Sequence, residues 1–199
     1  MIITIGGFKG GIGKTTTAVH LACYFSKRSP NVLLVDGDSN RSATGWGKRG
    51  GFPFEVCDLM AAAKLSRGKD HIIIDTQGNP DQAELEQLAE GCDFLVLPTG
   101  GDALSLDALL QTVDALRGIS NYGILLAMID SRKRDTAAQA AKMLRSLELP
   151  VLKTIIRRFT AYERAALLGV PVYEVKGDRF SKIAWGEYEA LGKEIESYA

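Results

Sequence analysis

A glycine-rich stretch near the amino end of the chain carries residues that can bind phosphate. It consists of Lys9, Gly10, Gly11, Ile12, Gly13, Lys14, Thr15 and Thr16. Its glycines allow successive backbone N–H groups to turn towards an anion, and the start of a following helix adds its positive dipole end. We expect Lys14 to neutralise the β- and γ-phosphates of a nucleotide and the Thr15 hydroxyl to ligate Mg²⁺.

The surroundings of this stretch are those of a phosphate-binding loop. An apolar run, residues 2–5, precedes it, and the helix-favouring residues 18–22 follow it. A glycine-rich turn can also join a strand to a helix without any ligand, but Gly-x-Gly-Lys-Thr between a strand and a helix is specific for phosphate. One position departs from the usual motif: Phe8 stands where the first glycine is expected, and Lys9 follows it.

Carboxylates follow two further apolar runs. Asp36 and Asp38 come after residues 32–35, and Asp75 comes after residues 72–74. Ligands usually bind where parallel strands end, and an aspartate at such a position commonly holds Mg²⁺. Taken alone, the first pair is also compatible with a solvated turn, and a buried strand can end in aspartate by chance. The ordered combination with the glycine loop favours a nucleotide site.

The apolar pattern predicts the fold class. Apolar runs of strand length alternate with helix-favouring segments, which is typical of a parallel sheet covered on both faces. The predicted strands are residues 2–5, 32–35, 72–74, 94–97, 124–129 and 151–156, with a weaker one at 54–56. The predicted helices are residues 15–28, 81–90, 104–118, 134–147, 160–168 and 180–198. We expect one α/β domain, residues 1–199, with a doubly wound and mainly parallel sheet.

With its additional lysine, the glycine loop resembles the deviant Walker A box of the ParA/MinD family of P-loop ATPases. The resemblance implies that Lys9 reaches the nucleotide of a partner subunit, so that ATP binding creates a homodimer. It also implies that Asp38 orients the water that attacks the γ-phosphate and that Asp36 lies near the Mg²⁺. The family's usual Pro-Gln after this aspartate is replaced by Ser39 and Asn40.

The resemblance extends to the second half of the chain. Residues 97–99 end a strand as the family does, which places residues 98–107 near the dimer face. Asp130 and Arg158 fall where family members build the adenine pocket, although Arg157 replaces a common proline there. Residues 163–172 also match a family segment that ends in Gly-x-Pro-Val.

Charge is unevenly distributed along the chain. The protein has no formal net charge, but residues 131–182 contain 12 Lys/Arg and 5 Asp/Glu, a net charge of +7. Such an asymmetry suggests a polyanionic partner. The resemblance to ParA implies nonspecific binding of nucleoid DNA by the ATP dimer, and release when a ParB-like or cargo-adaptor protein stimulates hydrolysis. The candidate DNA-binding residues are Arg132, Lys133, Arg134, Arg157, Arg164, Lys176, Arg179 and Lys182, several of which are equally compatible with separate solvated faces.

Three alternative functions require different sequence features. Membrane positioning of the MinD kind requires a basic amphipathic carboxy-terminal helix, whereas residues 180–199 are acidic and predict no membrane partner. A small-molecule ligase of the dethiobiotin-synthetase type shares the fold, but no additional catalytic cluster is evident. A nucleotide-binding module without hydrolysis is disfavoured by Asp38.

Composition sets the remaining expectations. The 199 residues are 46% hydrophobic and 24% charged, as in ordinary globular proteins. No apolar run reaches the roughly 20 residues of a membrane span, so we expect a cytoplasmic, nucleoid-associated protein. Cys23, Cys57 and Cys92 are widely spaced and predict buried free thiols rather than a metal site. Since the first predicted strand begins at residue 2, we expect no amino-terminal helix-turn-helix domain of the kind that larger ParA proteins carry.

Overall fold

Seven parallel strands form one sheet in the computed structural model, which describes residues 1–78, 81–116 and 118–198. The strand order is β3-β2-β4-β1-β5-β6-β7. The strands are β1 (Ile2–Ile5), β2 (Val32–Asp36), β3 (Glu55–Asp58), β4 (His71–Asp75), β5 (Phe94–Thr99), β6 (Tyr122–Ile129) and β7 (Val151–Arg157). Every pairing is parallel, so the carboxyl ends of all strands lie at one edge.

Helices connect the strands and cover both faces of the sheet. They are α1 (Lys14–Ser26), α2 (Ser42–Gly50), α3 (Leu59–Leu65), α4 (Gln82–Glu90), α5 (Ala103–Ala115), α6 (Arg134–Ser146), α7 (Thr160–Leu168) and α8 (Ser181–Glu196). Short 3-10 helices span Ser131–Lys133 and Val172–Glu174. The doubly wound α/β prediction is therefore confirmed.

Two apolar layers form because alternate strand residues point to opposite faces. On one face Leu34 and its neighbours pack under α1, α2, α7 and α8. On the other face Leu33 packs under α3, and Leu95 packs under α4 and α5. Since β2 and β5 are buried along their whole length, their near-continuous apolar sequences follow from cover on both sides.

All predicted strands are present, and the weak one at residues 54–56 is the edge strand β3. The helices α2 and α3 were not predicted from the sequence. Three glycines in α2, at positions 45, 47 and 50, lower its intrinsic helix propensity. The helix forms because Trp46 is buried in the core and because the side chain of Asp36 accepts hydrogen bonds from Thr44 in its first turn.

Candidate nucleotide-binding site

The glycine loop connects β1 to α1 through backbone conformations that require glycine. Gly11 has a φ of 74°, and Gly13, at the start of α1, has a φ of 89°. A Cβ atom on Gly13 would lie 3.1 Å from Cγ of Met128, so this position also lacks room for a side chain. The loop is thereby packed closely against the end of β6.

A cleft of about 700 Å³ opens over this loop. The predicted residues that line it are Gly10, Gly11, Gly13, Lys14, Thr15, Thr16 and Asp38. Ile12 is instead buried, with 8% of its surface exposed, and it anchors the loop to the protein interior. The structure therefore brings the phosphate loop and Asp38 into one cleft.

Lys14 is buried at the bottom of the loop. Its Nζ donates a hydrogen bond of 2.7 Å to the backbone oxygen of Lys9 and a longer one of 3.4 Å to that of Gly7. Burial lowers the pKa of Lys14, and the negative charges of Asp75 and Asp38 partly oppose this effect. Its ammonium group is held by backbone carbonyls that a phosphate can replace.

Asp75 ends β4 as a buried carboxyl group. Burial, and to a smaller extent repulsion by Asp36 and Asp38, raises its pKa to about 7, while the Thr15 hydroxyl and Lys14 act in the opposite direction. Within residues 1–78, 81–116 and 118–198, neither carboxylate oxygen has a partner at hydrogen-bond geometry. The Thr15 hydroxyl therefore lowers the pKa of Asp75 less than a fully formed hydrogen bond would. Both carboxylate oxygens are available to a cation.

The side chain of Asp36 is hydrogen-bonded to the first turn of α2. Its Oδ2 accepts hydrogen bonds from the backbone N and the Oγ1 of Thr44, at 2.8 and 2.7 Å. Asp36 lies beside Asp75 in the register of β2 and β4. The backbone N of the next residue, Gly37, donates a hydrogen bond of 2.8 Å to the backbone oxygen of Asp75. Asp38 is half-buried in the next turn. The three predicted aspartates thus lie together, but Asp36 has its Oδ2 occupied.

Lys9 points away from Lys14 and contacts the start of α5. Its Nζ donates to Oγ of Ser105 at 2.7 Å and lies 3.5 Å from Oδ1 of Asp102. The same Asp102 side chain accepts a hydrogen bond from the backbone N of Ser105 and so caps α5. Residues 98–107, expected at a dimer face, therefore hold this lysine within its own chain.

The two predicted adenine contacts line a second cleft of about 400 Å³. Asp130 and Arg158 both border it, and Met128 borders both this cleft and the larger one. The guanidinium of Arg132 donates a hydrogen bond of 2.7 Å to Oδ2 of Asp130 and lowers the pKa of this carboxyl group. Base recognition by Asp130 would therefore compete with this ion pair.

The predicted DNA-binding residues divide into paired and unpaired groups. Arg132 pairs with Asp130, Arg157 with Glu187, and Arg164 with Asp178. Lys133, Lys176, Arg179 and Lys182 are exposed and have no ion pair with any described residue. The side chain of Arg134 lies outside the described part of the chain.

The contribution of α2 and of Arg41, the residue before it, to the larger cleft was not predicted from the sequence. Arg41, Trp46 and Arg49 line this cleft together with the glycine loop. Arg49 donates to the backbone oxygen of Ala166 at 2.8 Å, and Trp46 donates to that of Val170 at 3.0 Å, which ties α2 to α7. A signal was present in the sequence, since Arg41 lies three residues after Asp38.

The cysteines, the metal-ligating side chains and the helix lengths complete the description. The three cysteines are free and buried. Across residues 1–78, 81–116 and 118–198, His, Cys, Asp and Glu side chains form no group of three or more that could hold a metal. No helix in the described ranges has both the length and the apolar character needed to cross a bilayer.

Comparisons with known proteins agree with the geometry. Residues 3–172 match the CobQ/CobB/MinD/ParA nucleotide binding domain. The Maintenance of carboxysome distribution protein A of Gloeobacter kilaueensis is 32% identical, with 98% of this chain and 94% of that protein covered. The McdA–ATP complex of Cyanothece has a TM-score of 0.72 at 17% identity and covers 99% of this chain and 95% of its own. The pNOB8 ParA bound to nonspecific DNA has a TM-score of 0.68 at 16% identity, with coverages of 99% and 97%. The chain belongs to the CobQ/CobB/MinD/ParA family of nucleotide-binding domains.

Proposed function

We propose that this protein is a positioning ATPase that dimerises around ATP, binds DNA without sequence preference, and leaves DNA when a partner stimulates hydrolysis. The observation that carries the proposal is the single cleft that joins the phosphate loop to Asp38. The similarity to a carboxysome distribution protein along nearly the whole chain favours a carboxysome as cargo, with a plasmid as the alternative. The adaptor protein selects between them.

The residues of the cleft have separate tasks in hydrolysis. Lys14 and the backbone N–H groups of residues 10–16 offset the negative charge of the phosphates, since phosphoryl transfer depends mainly on positioning and charge. Asp38 orients the attacking water from the turn after β2. Lys9 supplies a further positive charge from the partner subunit.

The buried carboxylate of Asp75 fits a divalent cation. An unpaired carboxylate at the end of a strand, with the Thr15 hydroxyl nearby, offers the oxygen ligands that Mg²⁺ prefers. Thr15 and Asp75 would hold the ion, and Asp36 would support them through its place beside Asp75. Bound Mg²⁺ would neutralise charge that develops on the phosphates.

Dimerisation requires Lys9 to leave its contacts with Asp102 and Ser105. The lysine side chain is one-third exposed and that of Asp102 is more than half exposed. Exposed ion pairs contribute only about 0–1 kcal/mol, so a phosphate can compete for the lysine. This supports a role for Lys9 across the subunit interface.

The unpaired cations support a location for the proposed DNA surface. Lys176, Arg179 and Lys182 line one open depression of about 670 Å³ between the 3-10 helix Val172–Glu174 and α8. Cations without an ion-pair partner can neutralise DNA phosphates without breaking an existing contact. We therefore place the proposed DNA surface on this depression rather than at Arg132, Arg157 and Arg164, which have acidic partners.

The packing of α8 disfavours the membrane alternative. Its apolar residues Trp185, Tyr188 and Leu191 are buried against the core rather than available to lipid. Two of its acids bind the backbone of β7, where Glu187 accepts from the N of Arg157 and Glu194 from the N of Lys153. An amphipathic anchor requires an apolar face directed away from the protein.

The proposal is tested by binding to random-sequence DNA with ATP, ADP or no nucleotide at two salt concentrations. We expect binding only with ATP, weaker binding at higher salt, and persistent binding by an Asp38→Ala variant that retains ATP. Size-exclusion chromatography with light scattering on the same samples should show an ATP-dependent dimer. A monomeric Asp38→Ala protein with bound ATP would contradict the proposal.

A further inference from the structure

Arg41 occupies the larger cleft in an unusual backbone conformation. It has a φ of 52°, in the left-handed region that glycine and asparagine adopt more readily than arginine. This conformation has a steric cost for a non-glycine residue that glycine does not have. A long cationic side chain at such a position suggests a requirement for its guanidinium group.

The contacts that hold Arg41 can be exchanged. Its Nη1 donates to the backbone oxygen of Asp36 at 2.7 Å, and its Nη2 lies 3.8 Å from Oδ2 of Asp58. The Arg41 side chain is 46% exposed and that of Asp58 is 42% exposed. An exposed ion pair at this distance is weak, so the guanidinium can turn towards an anion in the cleft.

Arg41 lies in the same turn as Asp38, the residue that the proposed function places at the terminal phosphate of ATP. Its backbone N donates to the backbone oxygen of Asp38 at 3.0 Å, so the two residues close one turn. In the proposed function Asp38 faces the terminal phosphate, which places Arg41 on the same side of the cleft. Asp36 and Asp38 lie close enough to Asp75 for their negative charges to raise its pKa, and such charge near the cleft opposes a further anion unless cations offset it.

We propose that Arg41 binds the terminal phosphate of ATP and thereby makes the protein prefer a nucleoside triphosphate to a diphosphate. This inference rests on the proposed function, because it requires a nucleotide on the glycine loop. A guanidinium forms strong charge-assisted hydrogen bonds with phosphate oxygens. Loss of the terminal phosphate releases Arg41 to Asp36 and Asp58, and the turn that carries Asp38 changes with it.

This role is tested by calorimetry, which measures the affinity of the protein for ADP and for a nonhydrolysable ATP analogue, each in the presence of Mg²⁺. We expect Arg41→Asn to weaken the triphosphate analogue on the order of tenfold or more while ADP affinity changes by less than about twofold. Arg41→Lys keeps the charge and should retain part of the preference. Equal affinity losses for both nucleotides, or none, would overturn the inference.

Two controls separate recognition from folding. Arg49→Gln alters a neighbouring cleft arginine that is bound to Ala166, and it should leave the ratio of the two affinities unchanged. Asparagine adopts the left-handed conformation readily, so Arg41→Asn should melt no earlier than the wild type without nucleotide. If Arg49→Gln alters the ratio as much as Arg41→Asn does, the role of Arg41 is rejected. Wild-type protein that binds neither nucleotide would refute the proposed function itself, and the inference with it.

Asp58→Asn provides an independent variant. It removes the charge that holds Arg41, while asparagine can still accept the hydrogen bond from the N of Ala61 that caps α3. We expect affinity for the triphosphate analogue to stay equal or to rise. A fall as large as that in Arg41→Asn would show that the Arg41–Asp58 contact acts only through structure.

Discussion

Two lysines five residues apart in the glycine loop occupy different environments. Lys14 is buried between backbone carbonyls, whereas Lys9 lies on the surface beside α5. The backbone turn at Gly11 and Gly13 separates their side chains. We therefore expect substitutions of the two lysines to affect different steps.

Replacement of Lys14 by alanine should remove nucleotide binding. The loop then loses its buried positive charge, and we expect affinity for ATP and ADP to fall on the order of a hundredfold. Fluorescent nucleotide titration measures the effect, with exposed Lys193→Ala as the control. Near-wild-type affinity in Lys14→Ala would mean that the cleft does not bind phosphate through this residue.

Replacement of Lys9 by alanine should spare nucleotide binding by the monomer. Its contacts with Asp102 and Ser105 are partly exposed, so their loss should change the free energy of unfolding by less than about 1 kcal/mol. Dimerisation with ATP, or hydrolysis, should fall much more than nucleotide affinity does. Equal losses in all three properties would assign Lys9 a local structural role.

At the scale of elements, His20 connects the phosphate-loop helix to the segment before α8. The backbone N of Val172 donates to its Nε2 at 3.1 Å, so Nδ1 carries the proton and donates to the oxygen of Thr16 at 2.7 Å. Its ring stacks on Tyr188 at 4.8 Å. This arrangement holds the imidazole neutral, and burial lowers its pKa to about 4.

Protonation of His20 should therefore destabilise the fold. The folded pKa lies below the ordinary value of 6.5, so the unfolded chain binds the proton first as the pH falls. Relative to His20→Gln, which can form both hydrogen bonds, wild-type stability should be constant above pH about 7 and lower by roughly 2 kcal/mol at pH 5. Urea unfolding at both pH values measures this difference, and parallel pH profiles for the two proteins would contradict it.

Most helices and strands could be predicted from the sequence, because short local patterns of residue types indicate them. Uninterrupted apolar runs indicated the strands, and the glycine loop indicated the start of α1. The helix α2 could not be recognised in this way, because tertiary contacts stabilise it. Trp46 is buried in the core, the Thr44 hydroxyl donates a hydrogen bond to Asp36, and Gly50 packs closely against Gly169. These contacts join positions far apart in the chain.

At the scale of the whole molecule, the basic character of residues 131–182 is reduced by ion pairs. Arg132, Arg157 and Arg164 have acidic partners, so the segment's charge of +7 overstates what DNA can reach. Lys176, Arg179 and Lys182 remain together around one depression. We therefore propose this depression as the DNA surface, in place of the wider set of residues expected from the sequence.

Alanine at Lys176, Arg179 or Lys182 should weaken DNA binding of the ATP-bound protein at low salt. Each lost phosphate contact should also reduce the slope of log affinity against log salt by about 0.9. Fluorescence polarisation over a series of salt concentrations measures the slope. Arg132→Ala, which removes a paired arginine, is the control, and a larger slope change in this control would place the DNA surface elsewhere.

The sequence by itself determined the fold class, the phosphate loop and the aspartates at the strand ends, because each depends on residue type and short spacing. Only the tertiary structure decided which of these groups are available. Oδ2 of Asp36 accepts hydrogen bonds from Thr44, whereas the two carboxylate oxygens of Asp75 have no hydrogen-bond partner within residues 1–78, 81–116 and 118–198. Lys9 contacts the start of α5, and Arg41 lines the cleft. Availability depends on burial and on partners distant in the chain, and packing of the whole sheet and its helices sets both.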